Sequence, residues 1–221
     1  KEIKMKKILL SSVAAATLIS TTVFAENKSS IPGLEVSGEF AIASNHIDRG
    51  ETISNEKTGG SGAVALDYKG MTAEFSTFSV EADTEIDSSL TYTQEISEGV
   101  EAYVSYLNIR TTGTSGTQGE EYSVGLATSI NDIDLGYDYI TDPDTTFNIN
   151  QIVIGKSYGD IGVEALYGVV NADDAADEHN YYQVSVSYPC SITTGEWSLI
   201  AADTNKAGVK PTYAIAHTFT F

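Results

Sequence analysis

The amino-acid sequence predicts an all-β protein, a transmembrane up-and-down antiparallel β-barrel of about twelve strands. Three observations carry this expectation. Segments of alternating large apolar and small or polar residues recur along the chain, bounded by Gly, Asn, Asp and Ser. The connections between them are mostly short and long in turn, as in a barrel with tight turns at one end and loops at the other. The aromatic residues gather near segment ends, at headgroup depth, where a soluble sandwich would hold them mid-strand.

At the start of the chain, Met5-Lys6-Lys7 is a short basic head before an apolar run, Ile8 through Ile19, too short to span a bilayer. Val23-Phe24-Ala25 offers small residues where a signal peptidase reads. Residues 1–25 are therefore expected to be a signal peptide cleaved before Glu26, with residues 1–4 upstream of its start, and residues 26–221 the barrel. The signal segment holds four of the 12 Lys+Arg (Lys1, Lys4, Lys6, Lys7) and one of the 31 acids (Glu2), leaving 8 basic against 30 acidic residues, a net of −22. Such a charge repels nucleic acid and anionic lipid. Cys190 is the one cysteine, so no intrachain disulfide is possible.

The twelve segments lie near 34–44, 62–69, 71–81, 85–95, 100–110, 120–129, 133–141, 148–158, 161–171, 179–189, 196–203 and 212–221. Most approach the roughly 9–11 residues that a tilted strand needs to cross the hydrocarbon core. The first segment shows Val36, Phe40 and Ile42 on one side. Val124 and Leu126, Leu135 and Tyr137, Val163, Ala165 and Tyr167, and Val184 and Val186 continue the lipid-facing set. Tyr92, Tyr158, Tyr188, Trp197, Phe219 and Phe221 fall at one set of strand ends, and Tyr106, Tyr122, Tyr139, Tyr182 and Tyr213 at the other. The last segment carries Tyr213, Ile215, His217, Phe219 and Phe221 at odd positions and only Thr or Ala at even ones. It resembles the C-terminal signal by which outer-membrane barrels are read by the barrel assembly machinery. That resemblance assigns Tyr213, Ile215, Phe219 and Phe221 to assembly, while His217 departs from the usual apolar residue.

The opposite faces read as Ser, Thr, Gly, Gln and acids. By parity the inward acids are Glu35, Glu39, Asp67, Glu74, Asp87, Glu95, Glu101, Asp134, Asp138 and Glu164, with no Lys or Arg among inward strand positions. Burying that many carboxylates in a dry interior costs several kcal/mol each, so the interior is expected to be wet or neutralised by metal ions or protons. A lumen lined by Glu39, Glu74, Asp134, Asp138 and Glu164, with Arg49 and Arg110 folding in as counter-charges, suggests a narrow aqueous pore preferring cations. Acids that merely hydrate a structural barrel are the plainer alternative. The connection 45–61 either bends into the lumen or stands as a solvated outer loop.

The stretch Phe40-Ala-Ile-Ala-Ser-Asn-His-Ile-Asp-Arg-Gly-Glu-Thr-Ile-Ser54 resembles the opening of the TorF-type porins, with Ser44, Arg49, Gly50 and Ser54 fitting and His46 standing for the usual aromatic. Gly-Ala-Val-Ala-Leu-Asp-Tyr (62–68) is similar to that family's second strand. The resemblance implies an outer-membrane barrel of a Gram-negative bacterium with a pore role.

Catalytic, cofactor and metal sites are not expected. His46, His179 and His217 have no metal-ligand spacing, and Cys190 is far from them in the turn pattern. Gly113-Thr-Ser-Gly116 and Gly59-Gly-Ser-Gly62 lack a following helix, and the acid-dense run 171–179 lacks the spacing of a calcium loop. Ser44 with His46 is the one polar pair suited to a lipid-modifying rim. The expected function is passive diffusion of small hydrophilic solutes, cations favoured, across the outer membrane, with membrane lipid, solutes and the assembly machinery as partners and no nucleic acid. The alternative is a non-conducting surface barrel serving attachment or phage reception.

Overall fold

The computed structural model describes residues 27–28, 31–80, 83–113, 119–143, 147–175, 177–193 and 195–221; the expected signal segment 1–25 lies outside them. The chain forms a closed antiparallel barrel of twelve strands. They are β1 (Leu34–Ala43), β2 (Gly59–Tyr68), β3 (Met71–Val80), β4 (Asp83–Ser97), β5 (Val100–Thr111), β6 (Gly119–Ile130), β7 (Ile133–Thr141), β8 (Asn148–Tyr158), β9 (Ile161–Asn171), β10 (His179–Pro189), β11 (Gly195–Thr204) and β12 (Thr212–Thr220). Each strand pairs with the next, and β12 pairs with β1 to remove both edges.

Closure is made at the chain's two ends. Ala216 to Thr220 face Ala43 to Glu39, and Phe221 extends the ladder by exchanging two backbone hydrogen bonds with Gly38, each 3.0 Å. Below Phe221 the short segment Asn27–Lys28 takes over the same edge of β1, pairing with Val36 and Glu35.

The strand ends separate two kinds of connection. At the end shared with both termini, the turns at 69–70, 98–99, 131–132 and 159–160 hold two residues each, and 190–194 holds five. Lys69-Gly70 (φ 51° and 83°) and Asn131-Asp132 (φ 52° and 61°) are left-handed at both positions, the twist that lets a two-residue turn match paired strands. The opposite end carries 44–58, 112–118, 142–147, 172–178 and 205–211, while the short connection expected near 82–84 is two residues by the strand bounds, 81–82, and lies outside the described residues. Two expectations are adjusted. β2 begins at Gly59 rather than 62, and β4 runs to fifteen residues with a bulge between Glu95 and Ser97. The added β4 residues continue the ladder against β3 and β5, which turn residues alone did not reveal.

The outward face is apolar along its length, with Phe40, Ile42, Val64, Leu66, Phe75, Leu90, Val124, Leu126, Ile152, Ile154, Leu199 and Ile215 all exposed. A belt of this composition suits hydrocarbon rather than water. Tyr92, Tyr158, Tyr188 and Phe221 mark one rim, and Tyr122, Tyr139, Tyr182 and Tyr213 the other.

The inward face departs from the expected all-polar lining. In the half nearer the long loops it carries Ile140, Ile149, Val153, Leu166, Val170 and Tyr181 as one packed cluster with Phe147 against it. Ile200, Ala202 and Ala214 form a second patch with Ile47 from the 44–58 connection. The outer half is filled by side chains on this flank, as in narrower barrels. The 44–58 connection is folded inward, with Ile47 packed into the second patch and Gly50 and Arg49 reaching Tyr181 and Phe147 at the edge of the first.

Candidate functional site in the lumen

The segment between β1 and β2 enters the barrel as a small hairpin. Ile47–Asp48 pairs with Glu51–Thr52, and Arg49-Gly50 forms the tip with φ values of 47° and 82°, again a turn with two left-handed residues. Its base is anchored by hydrogen bonds. Asn45 Nδ2 donates to Thr212 Oγ1 at 2.6 Å, while Asn45 Oδ1 accepts from Thr52 Oγ1 (2.6 Å) and Ser54 Oγ (2.8 Å). Ser54 Oγ also accepts from the His46 backbone N–H at 3.0 Å. Small residues on the inner face of β12 leave space for Ile47 to pack against the wall. Lys206 Nζ donates to Glu51 Oε1 at 3.0 Å and ties the hairpin to the β11–β12 loop.

The tip reaches across the lumen. Gly50 lies so close to the β10–β11 wall that an added Cβ would stand 2.7 Å from Asp203 O and 2.9 Å from Tyr181 Cβ. Arg49 turns the other way, donating from its guanidinium to Glu121 Oε1 on β6, 3.9 Å from Asp48 Oδ1, with its charge 5.3 Å from the centre of the Phe147 ring. Burial pushes the Asp48 carboxyl up to about 6, against the pull of Arg49 and with the push of Glu121 and Glu51. Burial also works against the Arg49 charge, but Asp48 and Glu121 outweigh it and hold the guanidinium above its ordinary range. At the hairpin base the His46 ring is buried edge-on against Phe78, and burial lowers its pKa.

A belt of side chains crosses the wall beneath the tip. Tyr103, Gly125, Asp138, Gln151, Gly168 and Tyr181 are successive register partners on β5 to β10. Tyr103 lies over Gly125 and Tyr181 over Gly168, each ring occupying the space a Cβ would take. Tyr181 thereby passes over β9 to donate its hydroxyl to Gln151 Oε1 at 2.7 Å, and Gln151 Nε2 donates to Asp138 Oδ2 at 3.2 Å. The glycines are needed here, since any side chain would push the tyrosines off the wall.

The expected lumen residues fall into two tiers. Glu39, Asp67 and Glu74 share the half nearer the termini on β1 to β3, where Thr72 Oγ1 donates to Asp67. Asp134 and Glu164 flank Gly155 in one row of β7, β8 and β9, with only a hydrogen between them. Asp138 and Arg49 belong to the outer tier described above. Arg110 stands on the outward side of β5, in step with Val104 and Tyr106, with Nε 3.1 Å from Asn108 Oδ1. Its placement near the outer strand end suggested an inward counter-charge, but strand parity turns it away. Among the residues whose side chains are described, Arg49 is the one Arg or Lys paired with an inward carboxylate of the strand wall.

Glu85 and Glu121 also face inward and were not singled out from the sequence. Parity alone identifies both: Tyr122, Val124 and Leu126 point out, so Glu121 points in. Of the assembly residues, Tyr213, Ile215 and Phe219 lie on the outward stripe of β12, and the Phe221 ring covers Gly38. His217 shares that stripe yet is buried, under Trp197 and Phe219 with ring centroids 4.4 and 4.3 Å away and Thr193 Oγ1 3.1 Å from Nε2. Ser44 Oγ accepts from Ile215 N–H at 3.0 Å rather than joining His46. No three His, Cys, Asp or Glu side chains gather as a metal cluster among the described residues.

A closed twelve-strand antiparallel barrel with an exposed apolar belt, an acidic interior and an inward-folded loop has the architecture of a membrane-spanning β-barrel. No family model matches the chain, and no curated protein sequence does so either. Solved structures do. The KdgM porin superposes with a TM-score of 0.64 at 7% identity, over 84% of this chain and 99% of that one. The KdgM porin in complex with disordered oligogalacturonate gives 0.57 at 7% identity over 84% and 98%. The NanC porin in a rhombohedral crystal form gives 0.54 at 8% identity over 84% and 97%. At these identities the likeness is one of fold, and it extends over nearly the whole of each porin.

Proposed function

We propose that this chain is an outer-membrane channel through which small hydrophilic solutes diffuse, cations ahead of anions. One observation carries the preference: the inward face is rich in carboxylates, and among the residues whose side chains are described Arg49 is the one guanidinium or ammonium paired with an acid of the strand wall. A single uncompensated carboxylate is worth about 1 kcal/mol to a cation at 4 Å even at the dielectric of bulk water, so several acting together favour cations strongly. The porin fold, the two aromatic rims and the C-terminal strand pairing support the outer membrane as location, with the signal segment and the assembly machinery as the route there. One KdgM structure holds oligogalacturonate, a chain bearing a carboxylate on every sugar. The lumen here repels such a polyanion, so its solutes are of another class.

Reversal potential in a planar bilayer under a KCl gradient tests the reading. A potential of the sign set by K⁺ flow supports it, and an anion-selective potential overturns it. A folded barrel that shows no conductance steps would instead favour the non-conducting surface role.

A further inference from the structure

The carboxylate of Asp87 is an unusual feature of the constriction. Its side chain is on the inward stripe of β4, 1% exposed, and neither Oδ1 nor Oδ2 has a hydrogen-bond partner. Its register neighbours are Ser76 on β3 and Ile109 on β5. Glu85, Glu121, Asp48 and Glu74 are near enough to repel it. Arg49 is committed to Glu121 and Asp48, and Oε2 of Glu121 is also without a partner. Buried carboxylates left in this state cost several kcal/mol, a cost that a proton or a bound cation offsets.

The geometry limits which cation fits. Among the described residues no three His, Cys, Asp or Glu side chains form a set that could hold a metal ion. Free oxygens spread over neighbouring strands suit a ligand with several N–H donors. Arg49 displays the accepted chemistry, since its guanidinium sits on one oxygen of Glu121 with an aromatic face above it. The hairpin thus carries a tethered example of what the wall binds.

We propose that Asp87, with Glu85 and the free oxygen of Glu121, binds the ammonium or guanidinium head of an organic cation at the constriction. The proposal deepens the channel reading above and rests on it for its role in permeation, although binding itself is measurable without conduction.

Calorimetric titration of the folded, detergent-solubilised barrel with putrescine tests it, with MgCl2 as the parallel titrant. Saturable putrescine binding is expected, weakened about tenfold or more by Asp87→Asn, as for loss of a charge-assisted hydrogen bond, and unchanged by Asp160→Asn in the turn between β8 and β9. Glu85→Gln should weaken it less, and it carries the test if Asp87→Asn fails to fold. Absence of saturable binding overturns the proposal, as does equal affinity in these variants, or Mg²⁺ competing as well as putrescine. A barrel that binds putrescine through Asp87 but passes anions retains this site and loses the channel reading. A cation-selective barrel that binds no putrescine does the reverse.

Discussion

Replacing Gly50 by alanine should eject the hairpin from the lumen while leaving the barrel closed. Two costs add. A residue with a Cβ held at φ 82° pays about 1 kcal/mol for the left-handed conformation. The new methyl would lie 2.7 Å from Asp203 O and 2.9 Å from Tyr181 Cβ, an overpacking that costs roughly 1–3 kcal/mol. The wall does not yield, because β10 and β11 are laddered along this stretch, with Tyr181 opposite Thr204 and Tyr182 opposite Asp203. The hairpin gives way instead. A total of about 2–4 kcal/mol raises the displaced population roughly thirtyfold to several hundredfold. Two assays read this. Trypsin should cleave after Arg49 in the variant but not in the parent, where Glu121 holds the side chain, while the exposed Lys57 is cut in both. Single-channel conductance should rise. Unchanged protection of Arg49 together with unchanged conductance would refute the seated hairpin.

Other consequences follow from the same structure. Asp48 has its pKa raised to about 6 by burial in the seated hairpin, so seating binds its proton more tightly than release does. Seating therefore strengthens as pH falls from about 6 towards 4, conductance should drop over that window, and Asp48→Asn should remove that component of the titration. Deleting Phe221 removes two backbone hydrogen bonds that close the β1–β12 seam, and Gly38→Val drives a side chain into the Phe221 ring. Both should lower the folded, heat-modifiable fraction on gels several-fold, and normal insertion would count against the C-terminal reading. Hydrogen bonds from Thr193 first and His217 second lower the Cys190 thiol to about 6. Its reaction with a maleimide should reach half its plateau near that pH, and His217→Phe should move the midpoint up.

Strand number and the closed antiparallel barrel were legible because both follow from period-2 alternation, which a barrel enforces on every residue. Glu121 was within reach of the same rule. The dry cluster of Ile140, Ile149, Val153, Leu166, Val170 and Tyr181 was not, since an apolar residue between two lipid-facing ones breaks the alternation without saying what covers it. The covering element comes from 100 or so residues earlier in the chain, and no local pattern encodes that contact. Arg110 shows the converse limit. Its charge suggested the lumen, but the position count along β5 decides the face.

The hairpin also explains the small residues Thr212 and Ala214 on the inner side of β12. Those positions lie where Ile47 and Asn45 dock, so larger side chains would exclude the loop. The outer half of the barrel consequently divides by strand. β7 to β12 present a packed flank, while β4 and β6 present Glu85, Asp87 and Glu121. Under the proposed channel function, a solute crossing the barrel would be steered along the acidic flank, with Arg49 on its pair with Glu121 beside the path. The carboxylates that the hairpin leaves unpaired would then add to the preference that the acidic lumen sets.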